Sequence, residues 1–295
     1  YGQAGMGKTT LALSAPKPVL FDFDNGVNRL NVNHTESIGI VQFNNWHEVH
    51  DLLTAQASGL AEFETIVVDT VGKMMDAIIA QRCNGGQPRL QDWSYINNEF
   101  KWFTSAVTAL GKHVIFVAHR DTRTDNDSVV FIPALREKSY NSIVTDLDLL
   151  GYVEMKNENG RQVRSITFDP TNRNDGKNTC QLPGVMYIPV IVNTNGAVTG
   201  ANDFLAKNVI ARFASNVEEK LQQQQAYQQA KQEIEDAVAG ITDALSANQF
   251  VENMKNYKNA GGTIIVYARA ILAKKASELG LKFNKAEGKY EEPSN

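Results

Sequence analysis

The first ten residues, Tyr1-Gly2-Gln3-Ala4-Gly5-Met6-Gly7-Lys8-Thr9-Thr10, gather glycines, one lysine and two threonine hydroxyls in a spacing that suits phosphate. Gly2 and Gly7, followed directly by Lys8 and Thr9, make the Walker A pattern. Its glycines let the backbone turn tightly enough for successive N–H groups to face one anion. The helix expected from Lys8 adds its positive end. Lys8 then reaches the β- and γ-phosphates, Thr9 offers its hydroxyl to Mg2+, and Thr10 is placed for the α-phosphate. Gly2, Gln3, Ala4, Gly5, Met6, Gly7, Lys8, Thr9 and Thr10 are therefore the candidate cofactor-binding residues, for ATP and Mg2+. The bland alternative is a glycine-rich turn that happens to precede Lys-Thr, and it leaves the following helix and strands unexplained.

Three further segments carry polar groups where such a site needs them. Thr65-Ile66-Val67-Val68-Asp69-Thr70 is an apolar run ending in an acid, the Walker B pattern. A buried strand there brings Asp69 to the sheet's carboxyl edge, to hold the metal through Thr9 or a water. Read alone it is a strand end with a helix cap; beside the Walker A loop it is a metal ligand. Thr70 stands where many AAA-type ATPases carry a glutamate base, so the base must lie elsewhere. Leu20-Phe21-Asp22-Phe23-Asp24 offers two carboxylates at alternating spacing, both on one strand face. Asp24, ahead of Asp22, is the candidate to polarise a water for attack on the γ-phosphate. The competing reading makes both acids strand-end or capping groups. His119, closing His113-Val114-Ile115-Phe116-Val117-Ala118-His119-Arg120, can sense the γ-phosphate or simply bond loop backbone. No His/Cys spacing suggests a metal cluster, and no nucleophilic triad is visible.

These groups converge only if strands and helices alternate, and the apolar pattern says they do. Strands are expected at 19–23, 38–43, 65–68, 113–118, 129–132, 150–155 and 163–168. Helices are expected at 8–14, 45–58, 71–82, 93–110 and 139–149. The polar stretch 120–128 reads as an exposed mobile loop, and Asn157-Glu158-Asn159-Gly160 as a hairpin turn. A phosphate loop follows a buried strand, most of which is expected upstream of Tyr1. From about residue 202 the chain turns helical, with a glutamine run at 222–225 and a helical pair at 248–259 and 263–279 split by Gly261-Gly262. The expected division is a core over 1–200, a helical extension over 201–283, and a disordered tail over 284–295.

A formal net charge of −4 excludes a generally basic nucleic-acid binder, so any DNA contact must come from a local basic loop or from several subunits. Cys83 and Cys180, the only cysteines, suit a reduced compartment and exclude a disulfide framework. No apolar run reaches spanning length and no secretory signal is visible, so the expected location is cytoplasmic, with no membrane partner.

In this order the segments resemble the RecA-like P-loop ATPases. They are most similar to phage-encoded ATPases with one AAA-type domain, a group that includes the Sak single-strand annealing proteins. The resemblance runs from Tyr1 to about Lys177, on the Walker A segment, Val19–Val27, Ile66–Lys73 and Val114–His119. It implies a mostly parallel central sheet flanked by helices, with the helical C-terminal extension outside it. It implies Mg2+-dependent ATP hydrolysis with Asp24 as base, although the family more often has Glu there. His119 stands where RecA itself commonly has Gln. It places a DNA-contacting loop at 120–128, with Arg120 and Arg123, although Asp121, Asp125 and Asp127 share it. It also implies a homo-oligomer with ATP between subunits. There Arg173 and Lys177, in Phe168-Asp169-Pro170-Thr171-Asn172-Arg173-Asn174-Asp175-Gly176-Lys177, are candidate fingers acting on a neighbour's nucleotide, or else a plain basic turn.

Several functions fit these residues. The first is an ATPase acting on single-stranded DNA in phage or prophage recombination or annealing, in which case it works in the host bacterial cytoplasm. The second is an accessory replication or packaging ATPase. The third is a nucleotide-dependent scaffold or switch with little turnover. A small-molecule kinase would need an arginine-rich lid and an acceptor pocket, and neither is apparent.

Overall fold

The computed structural model of the chain describes all residues except 32–33, 36–37, 126–127, 194 and 294–295. The chain divides into two compact units, Tyr1–Phe213 and Ala214–Asn295.

In the first unit the elements run α1 (Lys8–Ala12), β1 (Pro18–Asp22), β2 (Gly39–Gln42), α2 (Trp46–Thr54), β3 (Thr65–Asp69), α3 (Val71–Cys83), α4 (Asp92–Ala109) and β4 (His113–Val117). They continue with β5 (Arg120–Asp125), β6 (Ser128–Pro133), α5 (Glu137–Asp146), β7 (Leu149–Leu150), β8 (Tyr152–Glu158), β9 (Arg161–Thr167), β10 (Lys177–Asn178) and β11 (Val185–Ile188). A π turn over Ala206–Ile210 leads into α6 (Ala211–Ala239). The central sheet has the order β2-β1-β3-β4, every pair parallel. Gly2 extends it, bridging in parallel to His119 just past β4 and to Val153 of β8. A second sheet, β11-β9-β8, is antiparallel.

Strands β1 and β3 are buried along their whole length, as continuous apolar runs of a doubly covered parallel sheet should be. Alternate residues serve opposite faces. Val19, Phe21, Ile66 and Val68 pack with Trp46, Val49, Met74, Ile78, Phe100 and Phe103 from α2, α3 and α4. Leu20 and Val67 pack on the other side with Ala12, Leu13 and Val117. Helices therefore cover both faces, and the unit is an α/β core around a parallel central sheet, as expected from the sequence.

Two expectations are corrected here. Within the stretch 120–128, expected as a mobile loop, Arg120–Asp125 and Ser128 belong to paired strands, with Arg120 opposite Pro133 and Asp125 opposite Ser128, while 126–127 lie outside the described residues. Thr122 and Thr124 favour extended backbone, and the apolar Val129–Phe131 stretch supplies the partner strand. The other is the segment from residue 284, expected as a disordered tail. It contributes to a short hairpin, β12 (Lys282–Asn284) with β13 (Lys289–Glu291). Phe283 meets Tyr290 edge-on at 5.0 Å, and the Asn284 side chain accepts from Ala286 N–H to hold the turn. The turn expected near residue 159 forms as read: Asn159 and Gly160 both have positive φ, 52° and 77°, between paired Glu158 and Arg161.

The second unit holds the rest of α6, then α7 (Ala244–Asn253), a 3-10 stretch over Met254–Ala260, α8 (Gly262–Glu278) and the terminal hairpin. Its own core contains Ile234, Ala247, Phe250, Ile264, Ala268 and Leu272. Asp243 and Ser246 form a capping box at the start of α7, and Gly261 with φ 120° separates the helical pair.

Candidate nucleotide-binding site

Parallel register lines up the carboxyl ends of the central strands: Asp22 lies beside Asp69, and Asp69 beside Val117. The crevice outside such ends is where open α/β sheets bind ligands. Gly2 fastens the phosphate loop to this edge through its N–H to Ala118 O (3.3 Å) and its carbonyl to Arg120 N–H (3.0 Å). The crest at Gln3, Ala4 and Gly5 is exposed. Gly5 and Gly7 take φ of 79° and 72°, a left-handed backbone open to glycine at little cost, and Gly7 is the N-cap of α1. Leu11 N–H closes the first helical bond on Gly7 O at 2.9 Å.

Lys8 lies back over the loop, its Nζ donating to Gln3 O at 2.8 Å. Burial pulls its pKa down, while Asp69 pulls it back up. Thr9 Oγ1 donates to Asp69 Oδ2 at 2.5 Å. Asp69 is buried, and desolvation raises its pKa most. The Thr9 hydrogen bond and Lys8 oppose that shift, while Asp24 and Asp22 reinforce it. A hydroxyl and a carboxylate oxygen in contact are hard oxygen donors, the set Mg2+ takes when phosphates and waters complete its shell. Thr9 and Asp69 would hold that ion, which supplies charge neutralisation on the phosphates.

Asp22 and Asp24 occupy different settings. Asp22 is buried and accepts from Gly26 N–H (2.8 Å), Val27 N–H (3.1 Å) and Gln42 Nε2 (3.0 Å). Its oxygens are committed to the turn after β1. Asp24 is partly exposed and pairs with Arg29 at 2.8 Å, leaving its other carboxylate oxygen for a water. Thr70 caps α3 by accepting from Lys73 N–H at 3.3 Å. His119 is exposed and flanks Gly2, with its carbonyl accepting from Ala134 N–H at 2.8 Å. Gly2–Thr10, Asp24, Asp69 and His119 thus gather at one sheet edge.

The finger candidates lie in a loop with contacts of its own. Exposed Arg173 has its guanidinium 6.0 Å from the Phe131 ring. Lys177 Nζ donates to Val144 O (3.0 Å) and Thr145 O (2.8 Å), the last carbonyls of α5. Arg120 lies over Phe131 at 4.3 Å and donates to Tyr152 Oη, and Arg123 pairs with Asp175 at 3.3 Å.

One residue at this site escaped the sequence reading. Arg164 of β9 lies against Gly7 so closely that a Cβ there would sit 2.0 Å from its Nη1. An arginine in an alternating hairpin strand carries no signal for such a contact.

Sheet order, loop conformation and the Thr9–Asp69 pair define an α/β protein of the P-loop nucleotide-binding class. A family model described as "AAA domain" matches residues 1–180, and the chain belongs to that family, the AAA-type P-loop ATPases. No curated protein matches the chain. Among solved structures it is similar to a KaiC-like protein from the hyperthermophilic archaeon Pyrococcus horikoshii. The identity is 14%, covering 64% of this chain and 87% of that one, with a TM-score of 0.38.

Proposed function

We propose that the chain hydrolyses ATP with Mg2+ and couples it to work on single-stranded DNA, in recombination or strand annealing of the phage Sak type. The observation that carries the hydrolysis is the Thr9–Asp69 contact beside the P-loop, with Asp24 at the same edge and its Oδ1 without a partner among the described residues. Asp24 polarises the attacking water, Lys8 and the loop N–H groups hold the phosphates, and His119 reports their state to the β5–β6 hairpin that follows it. The assembly is a homo-oligomer with ATP between subunits. The guanidinium of Arg173, exposed and meeting only the Phe131 ring at 6.0 Å among the described residues, is better placed than Lys177 to reach a neighbour's nucleotide.

A nucleotide-dependent switch is the second reading. It is favoured by the engagement of Arg120 and Arg123 with Phe131 and Asp175 of their own chain, which occupies the basic groups a DNA strand would need.

The deciding measurement is the ATPase rate of the full chain with and without single-stranded DNA, alongside Asp24→Asn. Stimulation by DNA, with an Asp24→Asn protein that binds ATP but turns over about 10²-fold more slowly, supports the first reading. Binding without DNA stimulation selects the switch. A wild-type chain that binds no ATP ends both.

A further inference from the structure

The guanidinium of Arg164 is the least explained charge in the first unit. Strand β9 places Arg164 and Ile166 on one face, and Phe168 follows in the same alternation. Ile166 and Phe168 pack with Leu11, Ala15 and partly buried Met6, the apolar underside of the phosphate loop and its helix. The same alternation carries the Arg164 side chain onto the loop. A Cβ built on Gly7 would lie 2.0 Å from Nη1, 3.2 Å from Cζ and 3.9 Å from Cδ, so the side chain runs along the Gly7 backbone. A side chain at position 7 would push the guanidinium aside.

What Arg164 lacks is an anion. Its Nε is buried with no hydrogen-bond partner among the described residues. Nη2 reaches Pro189 O at 3.4 Å, the outer limit of a hydrogen bond. No carboxylate pairs with it among the described residues, and burial alone lowers its pKa. Burial lowers the pKa of His34 most, and the Arg164 cation adds to that shift. A guanidinium offers five N–H donors in a planar fork, and a half-buried one with a single weak acceptor is an unfavourable arrangement until an anion arrives. The loop beside it is built to gather phosphate oxygens, and the fork matches two of them.

We propose that Arg164 is a phosphate ligand of the bound nucleotide, supplied by the β8–β9 hairpin of the same chain. It holds the polyphosphate chain against the loop, so part of the positive charge around the nucleotide comes from within one subunit, independently of any finger from a neighbour. This rests on the nucleotide-binding reading of the P-loop.

The test compares Mg2+·ATP and ADP binding by the full-length wild type, Arg164→Met, Arg164→Lys and Lys8→Ala, with thermal melts of each. Arg164→Met should weaken both nucleotides about 10- to 100-fold, the usual range for a lost charged hydrogen bond. Without nucleotide it should melt no lower than wild type, because it removes an uncompensated charge. Arg164→Lys should recover only part of the affinity, since an ammonium cannot form the fork. Wild-type affinity in Arg164→Met, with Lys8→Ala weakened, overturns the inference and leaves the P-loop reading standing. A wild type that binds neither nucleotide removes the P-loop reading itself. Should Arg164→Met fail to fold, phenylglyoxal labelling of the wild-type arginines, read by mass spectrometry, decides the matter. Protection of Arg164 by Mg2+·ATP supports the role, and unchanged labelling rejects it.

Discussion

Asp69 is buried beside Thr9, Asp22 and Asp24, and both its burial and its acidic neighbours favour the neutral carboxyl. Its folded pKa therefore lies above the ordinary 3.8, so the folded chain binds this proton more readily than the unfolded one. Stability falls as pH rises from 3.8 through the raised folded value, and the cost persists above it. Asp69→Asn should therefore melt, without nucleotide, at or about 2 °C above wild type at pH 7, with the gap closing near pH 4. Mg2+·ATP hydrolysis by the same protein should fall about 10²-fold or more. Paired melting curves and ATPase rates check both; a large loss of stability at pH 7 would show that the carboxylate is structural. At this scale much could be read in advance. Gly2–Thr10, Asp69 and Asp24 announce themselves by spacing because each lies within a short segment whose type sets its place. Gln42 on Asp22 and Arg164 on Gly7 do not, because each contact joins distant segments through one side chain.

The helix that carries the phosphate loop, α1, spans only Lys8–Ala12, too short to stand by its own hydrogen bonds. It is held from its far end. Ser14, fully buried, donates to Leu11 O at 2.5 Å and accepts from Leu205 N–H at 2.9 Å, while Asn202 Nδ2 donates to Thr10 O at 3.0 Å. Ser14→Ala leaves the Leu205 N–H buried and unpaired, a cost of about 1–3 kcal/mol. The expected outcome in calorimetry is a melting temperature several degrees lower, with weaker nucleotide binding; an unchanged melt would show that the bond contributes nothing net. The parallel strands β1 and β3 were legible as apolar runs, since burial on both faces writes itself into the sequence; β4 reads the same way although it is only partly buried over His113–Phe116. Strand β5 was not. Its polar run Arg120–Thr124, exposed from Asp121 on, has no apolar face, and it is a strand because β6 offers it a partner.

Across the whole molecule, the second unit has a core of its own, closed by Ile234, Phe250, Ile264 and Leu272. Residues 214–295 expressed alone should give helical circular dichroism and a cooperative melt. Ile264→Ala should lower that melt by about 2–5 kcal/mol of stability. A broad, non-cooperative transition in the parent fragment would show that this core depends on the rest of the chain. The change of character near residue 202 was visible as composition. The unit boundary at Phe213 and Ala214 was not, because both residues fall inside the continuous helix α6.

Gly2 is stitched into two neighbours at once: its N–H to Ala118 O, its carbonyl to Arg120 N–H, and the adjoining Tyr1 O to Val153 N–H. During synthesis this sets a schedule. The stretch that cradles phosphate leaves the ribosome well before its partners, and at about 5–20 residues per second it waits on the order of ten seconds for Val153. Until then the four-stranded sheet can assemble without its nucleotide loop seated. ATP competence is therefore gained late, by closing contacts of long sequence separation, the slow kind in folding.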